Sequence, residues 1–247
     1  MTTPLDGLAD TIERELAKTR GIVIGGARVP VPGVSVTTWI DDPKRAPPIT
    51  DGRSITAPPR AFVWHTSKGI LCRDAAPDAI PSTTAETLAL YQSRTTREVS
   101  WHITVDTDGD VLQQADPSRW MCWHAGGANA WSLGAELVQR DATGTLTAPQ
   151  IRAAADVTDA VCAALAIPRR VLVGPDGAPW TKQVKDLQST KAGGRGLTWA
   201  GVIGHVHLTT DRGPGDPGPL VFAELISRGY ARHVVCADGR IAKDPLA

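Results

Sequence analysis

Val202-Ile203-Gly204-His205, with Asp216-Pro217-Gly218-Pro219 following it, is the stretch on which the reading of this chain turns. An apolar run ending in Gly-His reads as a buried strand that delivers an imidazole to the end of a sheet. The Asp-Pro-Gly-Pro turn brings a carboxylate back toward the same point, just before a helix. Upstream, Ala61-Phe62-Val63-Trp64-His65-Thr66 has the same form. Two strand-end histidines and one carboxylate, His65, His205 and Asp216, make a three-ligand set of the kind that holds a catalytic zinc and leaves a fourth position for water. His207 competes with His205, because residues two apart on a strand share a face. The apolar run ends at His205 and the small Gly204 permits close approach, which favours His205. His207 is left to the pocket rim or to substrate contact.

Outward from these strands the chain alternates sheet and helix. A strand is expected at Ala61–His65, a helix at Thr83–Arg94 with Thr83 or Thr84 as its cap, and a hairpin of Ser100–Asp106 and Asp110–Gln114 around Thr107-Asp108-Gly109. A strand at Ser132–Gln139 follows, then the strongest helical pattern, Ala148–Ile167, the strand Gly201–His205 and a closing helix at Pro219–Arg228. This predicts an α/β fold, a single mixed central β-sheet flanked by helices. Residues 1–20 carry Leu5, Leu8, Ile12 and Leu16 at helical spacing, and the Gly- and Pro-rich stretch to residue 58 holds short strand-like pieces at Gly21–Ile24 and Val34–Ile40. The expected division is therefore an extension over 1–58, one domain over 59–235 and a tail over 236–247. The polar stretch 168–198 reads as a long loop or small insertion near the site.

Bulk composition narrows the function classes. Among 247 residues, 42% are hydrophobic and 21% charged, ordinary values for a globular protein. The 26 Lys and Arg balance 26 Asp and Glu, so no overall electrostatic footprint for nucleic acid or an anionic membrane exists. The first twenty residues lack a long apolar core, so synthesis in a cytoplasm without a signal peptide is expected. No run is long enough to span a bilayer, and a monomer is expected. Four cysteines without a Cys-x-x-Cys argue against a zinc ribbon or a disulfide framework. Cys162 falls in a helical apolar pattern, and Cys122, near His124, lacks the second close ligand that a thiolate site needs.

Two strings lie between the ligand strands. Ser100-Trp101-His102-Ile103-Thr104-Val105-Asp106-Thr107-Asp108-Gly109 precedes Trp123-His124-Ala125-Gly126, and Ser132-Leu133-Gly134-Ala135-Glu136-Leu137 comes next. Taken with His65 and with His205 and Asp216-Pro217-Gly218-Pro219, this order resembles the zinc-dependent N-acetylmuramoyl-L-alanine amidases of type 2, the superfamily of the peptidoglycan-recognition proteins. The resemblance covers about residues 60–230. It implies that superfamily's fold and hydrolysis of the amide between N-acetylmuramic acid and the L-alanine of the peptidoglycan stem. It also implies zinc on His65, His205 and Asp216, Glu136 as catalytic carboxylate, and His124 with Trp123 lining the substrate groove. His102 matches a structural histidine. Many members carry a Lys two residues before the last ligand. Pro214 stands there, so Arg212 is the nearest cation for the oxyanion. Some members have Tyr where this chain has Trp101, and those without it use the glutamate.

The chemistry suits these residues. Zinc lowers the pKa of its water toward ~7, and a carboxylate carries the proton to the leaving amine. A phage endolysin reaching the wall through a holin is the expected context. A cytoplasmic amidase recycling muropeptides and a non-catalytic peptidoglycan-binding module are the alternatives, and Asp216 argues against the second. No His-Glu-x-x-His supports a peptidase cutting within the stem.

Overall fold

The protein is seen as a computed structural model that describes residues 21–40, 54–55, 57–67, 84–95, 97–139, 146–187, 199–209 and 216–242. In chain order the strands are β1 (Ile22–Ile24), β2 (Ala27–Val29), β3 (Val36–Thr38), β4 (Ala61–Thr66), β5 (Ile103–Val105), β6 (Val111–Gln113), β7 (Ser132–Leu137), β8 (Arg170–Val173), β9 (Gly201–Gly204) and β10 (Ala231–Val234). The helices are α1 (Ala85–Arg94), α2 (Ala148–Ala164) and α3 (Leu220–Ser227). Six strands form the main sheet in the order β3-β6-β5-β7-β4-β9. The central strand β4 is parallel to β7 on one side and β9 on the other, β5 is parallel to β7, and β5 and β6 are the expected antiparallel hairpin. The mixed sheet read from the sequence is the one observed.

Strands β4, β7 and β9 are buried along their whole lengths, which explains their unbroken apolar runs. On one face Phe62, Trp64, Leu133, Ala135, Leu137 and Val202 pack against Ala154, Val157 and Val161 of α2 and Phe222 and Leu225 of α3. Each large side chain removed from water there contributes roughly 1.5–3 kcal/mol. Polar pins fix the helix register. The Trp64 indole Nε1 donates to Thr158 Oγ1 at 3.1 Å, and Gln150 Nε2 donates to the carbonyls of Val138 at 2.8 Å and Val105 at 3.1 Å. Helix α2 starts where Thr147 Oγ1 accepts from the Gln150 amide. On the opposite face, Ala61, Val63 and Ile203 lie in a second apolar cluster with Val184, Leu187, Trp199 and Val235. A third cluster seats Leu88 and Ala89 of α1 against Trp101 and Leu112.

Three stretches depart from expectation. Residues 22–38, read as part of an extension, build β1, β2 and β3, and β3 is an edge strand of the main sheet, parallel to β6. Side chains far along the chain complete their hydrogen bonds. Gln113 accepts from the Val23 amide at 2.7 Å and donates to its carbonyl at 2.8 Å, while Asp116 accepts from the amides of Gly25 and Gly26. Within 168–198, read as a loop or insertion, β8 pairs in parallel with β10 to make a small second sheet. Residues at the start of the expected tail are also fixed, since the Lys185 amide donates to the Gly239 carbonyl and the Ile241 amide to Asp186. The helix expected over 1–20 lies outside the described residues. Among those described, no helix is long and apolar enough to cross a membrane.

Candidate active site and metal centre

Parallel strands that end together put their terminal side chains in one place, and the carboxyl ends of such strands are where α/β sheets carry ligands. His65 on β4 is in register with Glu136 on β7, and Glu136 with Thr104 on β5, so the three lie side by side on one face. Beyond Gly204 the chain leaves the sheet, and His205–His207 form a single 3-10 turn rather than a continued strand. That overturns the shared strand face expected for His205 and His207. The Gly204 amide donates to His207 Nδ1 at 3.1 Å, closing the turn, and His207 Nε2 donates to the Trp180 carbonyl at 2.7 Å. His207 is completely buried, not at a pocket rim, and burial lowers its pKa to about 4.

Asp216 returns to the site by two bonds. The pairing of β4 with β9 stops at Trp64 and Gly204, and Asp216 Oδ1 accepts from the Thr66 amide at 3.0 Å just beyond it. The Val206 amide donates to the Asp216 carbonyl at 3.1 Å. This approach needs Gly204, because a Cβ there would stand 2.5 Å from Pro217 Cδ. Asp216 does not cap the next helix, whose capping position is Pro219 without a side-chain bond.

His65, His205 and Asp216 are thus brought together. Their ligand atoms lie within 4.8 Å of one another, all three residues are buried, and the group could hold a metal ion. The Nδ1 atoms of His65 and His205 are 3.0 Å apart, and Asp216 Oδ2 is 3.4 Å from His205 Nδ1. Glu136, a buried carboxylate, is the neighbour of His65 in the sheet.

Behind His65 stands His124. Its Nδ1 lies 3.0 Å from His65 Nε2, and its Nε2 lies 3.4 Å from Ser132 Oγ. The ring occupies the space over Gly134, where a Cβ would be 2.4 Å from its Cγ. Burial, then the neighbouring His102 and His205, hold its pKa well below the ordinary value. Asn129, unremarked in the sequence, fixes the loop: its Oδ1 accepts from the amides of His124 at 3.0 Å and Ala125 at 2.7 Å. Trp123 beside it is half-buried. His102 accepts from the Gly134 amide at 3.1 Å and donates to the Trp120 carbonyl at 2.9 Å, and burial lowers its pKa to about 4, as suits a structural residue. Trp101 is buried against α1. Burial pushes the Cys122 thiol up to about 12, far from a ready ligand. Arg212 and Pro214 lie outside the described residues.

A family profile described as N-acetylmuramoyl-L-alanine amidase matches residues 56–219. No curated protein matches the chain. Among solved structures, the endolysin N-acetylmuramoyl-L-alanine amidase LysCS of Clostridium intestinale is similar at 13% identity, with 81% of this chain and 97% of that one covered and a TM-score of 0.45. The endolysin of a Thermus scotoductus bacteriophage is similar at 19% identity, with 78% and 98% covered and a TM-score of 0.47. A mutant endolysin from Bacillus subtilis reaches 23% identity, with 55% and 80% covered and a TM-score of 0.39.

Proposed function

Because the chain belongs to the N-acetylmuramoyl-L-alanine amidase family, and so hydrolyses the amide that joins N-acetylmuramic acid to L-alanine in peptidoglycan, we propose that His65, His205 and Asp216 hold one zinc ion for this reaction and that Glu136 moves its proton. The convergence of two Nδ1 atoms and one carboxylate oxygen within 4.8 Å carries this reading. Two of the three donor separations, 3.0 Å and 3.4 Å, lie near the value of about 3.3 Å that tetrahedral zinc bonded at ~2.0–2.1 Å sets between neighbouring donors, and the His65–Asp216 pair lies within 4.8 Å. When bound, zinc supplies Lewis acidity and a water acidic enough to react near neutral pH. Two neutral imidazoles and one carboxylate leave the centre net positive, which favours the oxyanion formed on the scissile carbonyl.

The protein groups divide the remaining work. Asp216 gives Oδ1 to the Thr66 amide, which leaves Oδ2 turned toward His205. Glu136 takes the proton of the attacking water and returns it to the leaving nitrogen of L-alanine. Trp123 offers a half-exposed indole to the sugar, and Arg212 is the cation assigned to the oxyanion. The enzyme acts as a monomer on the cell wall, in the manner of a phage endolysin.

Digestion of purified peptidoglycan tests the reading. New L-alanine amino termini without new reducing sugars, lost on chelation and restored by zinc, are expected. Undiminished cleavage after metal removal verified by elemental analysis would rule the zinc out. Activity on soluble muropeptides alone, with intact walls untouched, would favour a recycling amidase.

A further inference from the structure

We propose that His124 is a positioning residue that fixes the tautomer of the ligand His65 through a one-way hydrogen-bond chain, His65–His124–Ser132–Ala128. The polarity of the chain follows from its last member. A carbonyl can only accept, so Ser132 Oγ spends its single proton on the Ala128 carbonyl at 2.7 Å. Toward His124 Nε2, at 3.4 Å, Ser132 Oγ is then left as an acceptor, and Nε2 is the nitrogen that carries the hydrogen. A neutral imidazole protonated at Nε2 has a bare Nδ1. That bare Nδ1 lies 3.0 Å from His65 Nε2, so His65 donates there and its own Nδ1 is free of hydrogen. His65 Nδ1 is the atom turned toward His205 Nδ1 and Asp216. Reversal of the chain would place a hydrogen on that nitrogen and close it to a metal.

Two further observations agree. The His124 backbone is pinned by Asn129. Gly134 gives the ring its seat, since any side chain there would collide with it. Partners of this kind orient metal-bound histidines, and their loss weakens metal binding by ~10–100-fold. The resemblance implies that His124 lines the substrate groove; buried behind His65, it acts through the ligand instead.

The inference rests on the proposed zinc site, and two measurements separate them. Imidazole nitrogen NMR on the metal-free wild-type protein should find hydrogen on Nε2 of both His65 and His124. Hydrogen on Nδ1 of either ring overturns the chain, whether or not any variant folds. Competition titration with a chromophoric chelator should then show zinc held ~10–100-fold more weakly by His124→Phe. His124→Asn, whose amide oxygen can accept near the Nδ1 position, should recover most of that loss. Wild-type affinity in His124→Phe, or equal weakness in both variants, overturns the positioning role. A wild-type protein that takes up no zinc yet shows these tautomers would strike the metal reading and leave the chain standing.

Discussion

At the scale of single residues, the two histidines of Gly204-His205-Val206-His207 separate by what their nitrogens face. His205 Nδ1 faces His65 and Asp216, so His205→Ala is expected to abolish metal retention in elemental analysis while leaving the fold. His207 instead satisfies the Gly204 amide and the Trp180 carbonyl. His207→Ala orphans the buried Gly204 amide, at about 1–3 kcal/mol, and the partly buried Trp180 carbonyl, so its melting temperature should fall below that of His205→Ala, each measured without metal. The apolar run that ends at His205 was legible in the sequence. The 3-10 turn was not, because an alternating pattern cannot show where a chain leaves its sheet. Glu136→Gln should keep zinc and fold but lose ~100- to 10,000-fold in turnover on peptidoglycan, since an amide cannot accept the proton; near wild-type turnover would move the base elsewhere. His102 sets a pH dependence. Its folded pKa, lowered by burial to about 4 from 6.5, lets the unfolded chain bind a proton first as pH falls. The stability that His102 contributes is therefore intact above pH 6.5 and lost between 6.5 and about 4, by about 1.4 kcal/mol per pH unit, and His207, lowered likewise by burial to about 4, adds to the loss in the same window. A urea midpoint that stays flat across that window in metal-free protein would contradict this.

At the scale of elements, the strands and helices with strong periodicity were legible: Ala61–Thr66, Ser132–Leu137 and Ala148–Ala164 appear close to where their patterns place them. Of the short strands completed by distant partners, the strand-like pieces at Gly21–Ile24 and Val34–Ile40 were legible, while β2, β8 and β10 and all the pairings were not. The register of β8 comes from β10, where Arg170 faces Ala231, and the backbone of β1 is satisfied by Gln113. Neither partner leaves a trace in the local pattern. Gly204 shows how an element's end can govern the site. Gly204→Ala puts a methyl group 2.5 Å from Pro217 and 3.1 Å from the Asp216 carbonyl. The Asp216 turn must move away, so zinc affinity should drop while the circular dichroism of the sheet persists. Unchanged affinity would mean that Asp216 is not a ligand.

At the scale of the whole molecule, the sheet includes residues that composition assigns to an extension. A chain starting at residue 59 would lack β3, expose the edge of β6 and leave the Gln113 amide without its partners on Val23. Such a chain should melt at lower temperature and aggregate more readily than the full protein; equal stability would show that the edge strand is dispensable. The donors of the proposed zinc site are also far apart in the chain. His65 and His205 are separated by 140 residues, and Thr66 and the Asp216 carboxylate that binds its amide by 150. Contacts at such separation carry a loop-closure cost that slows folding. A chain that ends before residue 216 would carry both histidines and the glutamate but lack the third proposed donor. On the proposed zinc site such a truncated chain is expected to bind no zinc and to leave peptidoglycan uncut.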